Sequence, residues 1–217
     1  MGAKTCLLIH TDVDAGALLR DRPQLDREAA ARMLATLFPK ERLHADGEVD
    51  LTHTYPADDE VLVACYPRLL IVIARDFGLD RPSELPRRFI EAAGSGDVMV
   101  HAMHSVVDWF AFAIWKQGQL HRSLSLSPDS GILENSGQPL PVEVPYWNGD
   151  RPLFDDGEDE GEGYPFRFHP LELGEAVLHA FLGFHLEGHT SEDVVDPESI
   201  LLLRYRREPR PWWKFWA

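Results

Sequence analysis

The chain has 217 residues and a formal net charge of −15, with 44% hydrophobic and 26% charged residues. That balance is the one of ordinary globular proteins and excludes a disordered or fibrous chain. The charge disfavours nucleic-acid binding, because counterion release needs a basic face, and two cysteines are too few for a disulfide framework.

Residues 4–10 are predicted as a first strand that runs into the turn-rich Thr11-Asp12-Val13-Asp14, with a helix beginning near Asp14. A clearer helix is predicted over 25–37. Ala29, Ala30, Met33, Leu34 and Leu37 recur at helical spacing, Asp26 can cap the start and Pro39 ends it. The polar stretch from there to Asp50 reads as a loop. Residues 61–66 and 69–74 are apolar runs split by Pro67, suited to strands buried on both faces. Together they are too short, and too interrupted by Pro67 and Arg68, for a membrane span of about 20 apolar residues. Leu7-Leu8-Ile9, followed at once by Asp12 and Asp14, is also too short for the apolar core of a signal peptide.

Asp80-Arg81-Pro82-Ser83-Glu84 is predicted to open a helix that continues to Ala93, with Pro82 near its first turn, ended by Gly94-Ser95-Gly96. Strands follow over 98–104, 108–115 and 120–126. The last two form a hairpin around Lys116-Gln117-Gly118-Gln119, with Leu120, Arg122, Leu124 and Leu126 on one side and His121, Ser123 and Ser125 on the other. Residues 127–170 read as a long excursion with at most short strands. A helix over 171–187, ended by Gly188, and a strand over 200–206 complete the chain. Strands in runs with helices interspersed predict an α+β fold: a largely antiparallel central sheet with three or four flanking helices. The expected organisation is a single domain over 1–208 and a tail over 209–217.

Candidate chemistry is sparse. Asp12-x-Asp14 at the end of an apolar strand is the spacing with which paired carboxylates hold Mg²⁺ for phosphoryl transfer, as in haloacid-dehalogenase-type phosphatases. No matching downstream lysine and acidic pair accompanies it, and a turn with a helix N-cap is the plainer reading. His101 and His104, three apart in a strand, face opposite sides. His185 and His189 have helical metal-pair spacing, but Gly188 falls between them and the metalloprotease order is absent. Cys6 and Cys65 lie in apolar runs and read as buried thiols, which favours a reducing, cytoplasmic setting. The acidic run 155–162 lacks the ligand spacing of a calcium loop and reads as a solvated face. No catalytic residue, cofactor or metal site is assigned.

Residues 204–217 stand apart. They hold three of the six tryptophans, and five Lys or Arg against one acid: a local charge of +4, against −19 for the rest. Trp212, Trp213, Phe215 and Trp216 need a dry surface, and Arg210 and Lys214 add charge. These six residues are the expected partner-binding set, because Trp and Arg dominate binding hot spots. They dock on a protein partner, transiently on a membrane surface, or back on their own sheet; the sequence leaves all three open.

Met1-Gly2-Ala3-Lys4-Thr5, Asp108-Trp109-Phe110-Ala111-Phe112, Ser123-Leu124-Ser125-Leu126-Ser127-Pro128, Pro170-Leu171-Glu172-Leu173-Gly174-Glu175 and Trp212-Trp213-Lys214-Phe215-Trp216 together resemble a family of actinobacterial proteins of about this length and of unknown function. The resemblance covers nearly the whole chain. It implies a bacterial cytosolic protein of one domain and brings no catalytic residues with it. The function expected is a non-enzymatic binding protein. The alternatives are a Mg²⁺-dependent phosphohydrolase using Asp12 and Asp14, and an acidic immunity-type or nucleic-acid-mimic protein.

Overall fold

The computed structural model describes residues 2–153, 165–187 and 194–208. Its frame is a nine-stranded sheet: β1 (Lys4–Thr11), β2 (Leu43–Asp50), β3 (Glu60–Tyr66), β4 (Leu69–Ile73), β5 (Asp97–His104), β6 (Trp109–Lys116), β7 (Gln119–Ser127), β8 (Gly131–Gly137) and β9 (Leu201–Arg207). The strand order is β2-β9-β3-β4-β1-β5-β6-β7-β8, and every neighbouring pair is antiparallel. Five short α-helices accompany it among the described residues: α1 (Ala15–Arg20), α2 (Arg27–Leu37), α3 (Arg87–Glu91), α4 (Val144–Trp147) and α5 (Pro170–Leu182).

This corrects the expected α+β fold with three or four flanking helices. The molecule is dominated by one large antiparallel sheet, and α3 and α4 are single turns of five and four residues. Three local misreadings account for the difference. The stretch 43–50 is β2, an edge strand in which no residue is buried and half are exposed, so it carries no apolar alternation. Residues 131–137, placed in a loop, form the opposite edge strand β8. The helix expected to open at 80–84 and run to Ala93 is broken, because Pro86 holds Leu85 in extended geometry (ψ 125°). A 3-10 turn at Pro82–Glu84 and α3 are what remain.

The central strands are buried on both faces. In β1 all six residues between Lys4 and Thr11 are buried, and β4 is buried throughout. Cross-strand register sorts the two layers. Leu7 pairs with His101, which pairs with Phe112, which pairs with Leu124. On this face α5 packs over β5 and β6. The other face carries Leu8, Val100 and Ala113 in register, under the segment from the 3-10 turn at Arg75–Phe77 to α3. Phe77 and Phe89 there meet edge-on at 5.1 Å, both essentially fully buried. Each such side chain contributes about 1.5–3 kcal/mol of burial.

Gly174 fixes how closely α5 sits. A Cβ there would lie 2.3 Å from Met103 Sδ and 3.0 Å from Phe110 Cδ2, so only glycine allows the contact. The carbonyl of Gly174 accepts a 2.9 Å hydrogen bond from His101 Nε2, and Thr5 Oγ1 lies 2.9 Å from His101 Nδ1. A carbonyl only accepts, so Nε2 carries the proton and Nδ1 accepts from the threonine hydroxyl. The helix ends earlier than expected, at Gly183 in the left-handed region (φ 78°) and not at Gly188.

Candidate functional site: a charged cleft and an arginine collar

On the face opposite α5 the sheet opens into a cleft of about 500 Å³. His104, Trp109 and Ser127 line its floor as a row across β5, β6 and β7. Lys4, the register partner of His104 on β1, continues that row just outside the lining. Strands are spaced about 4.8 Å apart, so the row is about 14 Å long. Tyr55 closes one end, with Arg75 Cζ 3.6 Å above its ring centroid and Lys4 Nζ 5.4 Å from it. The His104 ring meets Tyr55 edge-on at 5.5 Å. Burial, then the charges of Lys4 and Arg75, push the His104 pKa down, so the ring is neutral near pH 7 and Nδ1 is buried without a partner.

Asp80 and Asp129 line the same cleft. The 3-10 turn holding Arg75 packs on β1 and β5, and the one just after Asp80 packs on β6 and β7. The chain between them therefore crosses the cleft from the cationic end towards the acidic one. Asp129 sits in the turn between β7 and β8. Trp109 donates its indole N–H to Ser125 Oγ at 3.2 Å, which fixes the ring. Cys6 contributes to the floor as an inert group, since burial pushes its thiol up to about 12.

A second feature surrounds the end of β9. Arg206 reaches Asp46 at 2.6 Å, Asp59 at 3.1 Å and Glu60 at 3.0 Å. Arg204 reaches Asp46 at 3.3 Å. Arg207 reaches Glu41 at 2.9 Å, pairs with Asp76, and lies over the Phe38 ring at 5.4 Å. Glu208 in turn bonds His44 at 2.7 Å. Three of the five cations counted in 204–217 are thus committed to the body of the protein. Within 209–217 only Arg210 and Lys214 carry positive side-chain charge, with no acid.

The partner-binding residues expected from sequence, Arg210, Trp212, Trp213, Lys214, Phe215 and Trp216, lie outside the described residues, as do His189 and the acidic run 155–162. Asp12 and Asp14 are not brought together as a metal pair. Asp14 caps α1 by accepting from Ala17 N at 2.9 Å, and Asp12 accepts from Arg68 Nε at 2.9 Å. Among the described residues no group of three or more His, Cys, Asp or Glu is placed to hold a metal ion. His101 and His104 do face opposite sides, one under α5 and one in the cleft. The cleft itself escaped sequence reading, because its residues come from five separate stretches and form no linear motif.

A family of unknown function, DUF6928, matches residues 5–205. The chain belongs to the DUF6928 family. The resemblance read from its short motifs is borne out by this match, which takes in every strand and stops at Tyr205, within β9. No curated protein and no solved structure matches the chain. For DUF6928 the residues lining the cleft, from Cys6 to Leu133, lie inside the matched span, whereas Lys4, Arg206, Arg207 and the aromatic tail lie beyond it.

Proposed function

We propose that this protein is a cytoplasmic, non-enzymatic binding protein whose segment 209–217 docks on a protein partner. The observation that carries the reading is the collar: Arg204, Arg206 and Arg207 are neutralised by Asp46, Asp59, Glu60, Glu41 and Asp76 of the same chain. What leaves the collar is four aromatic side chains with two cations. Anionic membranes attract about 1 kcal/mol per cation, so two cations give weak electrostatic anchoring. Indole and phenyl rings seated in a partner's pockets supply far more. A cytoplasmic setting agrees with two free cysteines, Cys6 and Cys65, and no described helix is long and apolar enough to cross a membrane.

The test compares full-length protein with residues 1–208 and with a Trp212→Ala/Trp213→Ala/Trp216→Ala variant, as baits in extract and in pelleting with anionic vesicles. The expected result is a defined protein retained by the full chain and lost from both variants, with no vesicle pelleting. Equal recovery on all three baits removes the tail's role, and pelleting without protein recovery moves the docking surface to lipid.

A further inference from the structure

We infer that the cleft over β1, β5 and β6 is a binding site for a short peptide with free, charged termini, a reading independent of the tail. Its two ends carry opposite charge. At the β1 side, Arg75 and Lys4 gather on the Tyr55 ring. At the β6–β8 side stand the carboxylates of Asp80 and Asp129, which have no hydrogen-bond or ion-pair partner among the described residues.

A simple anion matches only the first end and a simple cation only the second. A zwitterion matches both, and the spacing sets its length. The row from Lys4 to Ser127 spans about 14 Å, and a hydrogen bond of about 2.8 Å at each end shortens what the ligand itself must bridge. An extended chain advances about 3.3–3.6 Å per residue, so two or three residues place a carboxylate at Arg75 and an ammonium at Asp80 and Asp129. A free amino acid is too short to reach both.

Cys6, Gly78, Val107 and Leu133 add apolar lining to the cleft. Trp109, its N–H already occupied by Ser125, offers a ring face to a side chain. His104 Nδ1, buried and unpartnered, adds a polar group beside Arg75. Arg75 keeps donors for a carboxylate, because only its Nε is paired, at 3.2 Å, with the exposed Asp58. The volume is within the usual range of small-ligand sites.

The experiment is calorimetric titration of the full chain with Ala-Phe-Ala bearing free termini, its N-acetyl form, its C-terminal amide and the doubly blocked peptide. Free Ala-Phe-Ala is expected to bind, and each cap is expected to weaken it about tenfold or more. Asp129→Asn, at an exposed turn position, folds normally and loses the discrimination against the N-acetyl peptide while keeping that against the amide. Blocked and free peptides binding alike overturns the assignment, and so does no binding of free peptide at millimolar concentration. Spermidine or succinate binding more tightly than the peptide overturns it in favour of a one-signed ligand.

Discussion

Arg122 and Glu143 meet in a two-pronged ion pair, Nε to Oε1 at 2.9 Å and Nη2 to Oε2 at 2.7 Å, with neither side chain exposed to solvent. The remaining valences are also filled. Arg122 Nη1 donates to Asn135 Oδ1 at 2.6 Å and Ser136 O at 3.0 Å, and Glu143 accepts from Leu140 N and Trp147 Nε1. The pair ties β7, β8 and α4 into one unit.

Breaking that pair from one side leaves a buried charge uncompensated. Glu143→Gln is expected to cost about 3–5 kcal/mol in urea denaturation, whereas Arg122→Met/Glu143→Leu costs less than either single change implies. Additive losses in the double variant would show that the two groups stabilise the fold separately.

Overpacking at the helix–sheet contact is the second expectation. Gly174→Ala forces Met103 and Phe110 aside and is expected to cost about 1–3 kcal/mol. Gly118→Ala is the control: nothing lies within 4 Å of its Cβ, so only the strain of φ +77° remains. No loss at Gly174 would mean that α5 moves away from the sheet freely.

How far the sequence carried is visible in which elements it reached. The strands β1, β3, β4, β5, β6, β7 and β9 are rich in apolar residues, and each was expected within one or two residues of where it lies. The edges β2 and β8 were missed because their main-chain pairing with β9 and β7 needs no apolar alternation. The hairpin phase was right for Arg122, Leu124 and Leu126. It failed at Leu120, because the ladder shifts between Ile114 and Trp115 and Leu120 pairs with Trp115. The α5 helix was drawn too long because Phe184 and Leu186 continue its apolar run past Gly183. In the cleft, Lys4, Tyr55, Arg75, His104 and Asp129 are neighbours only after strand order and register are known.

Acid sensitivity follows from two buried histidines. Burial pushes His10 and His101 down to about 4, from 6.5 in an exposed chain. Their folded-state values lie below the unfolded ones, so the unfolded chain binds more protons in this window. Stability is therefore full above pH 6.5 and is lost as pH falls towards 4, on the order of 3 kcal/mol per histidine. Urea midpoints measured across that range should fall steadily, with proton uptake on unfolding. A flat profile would mean that the rings are protonated in the native state.

The collar arginines should differ in worth. Arg207 is one-fifth exposed, hydrogen-bonds Asp76 and ion-pairs with Glu41 beside Phe38, so Arg207→Ala is expected to lose about 1–2 kcal/mol. Arg206 is nearly half exposed, and Arg206→Ala should leave the thermal midpoint close to that of the parent protein. The reverse order would show that the outer pairs with Asp46 and Asp59 hold β9 in place.

The most direct measurement of the proposed docking is the salt dependence of binding between the full chain and a protein recovered on it from extract, from about 0.05 to about 0.5 M NaCl. With Arg204, Arg206 and Arg207 neutralised in place, affinity should change little across the series and vanish when Trp212, Trp213 and Trp216 become alanine. An affinity that collapses with salt and survives loss of the indoles would contradict an aromatic anchor and identify charge as the docking force.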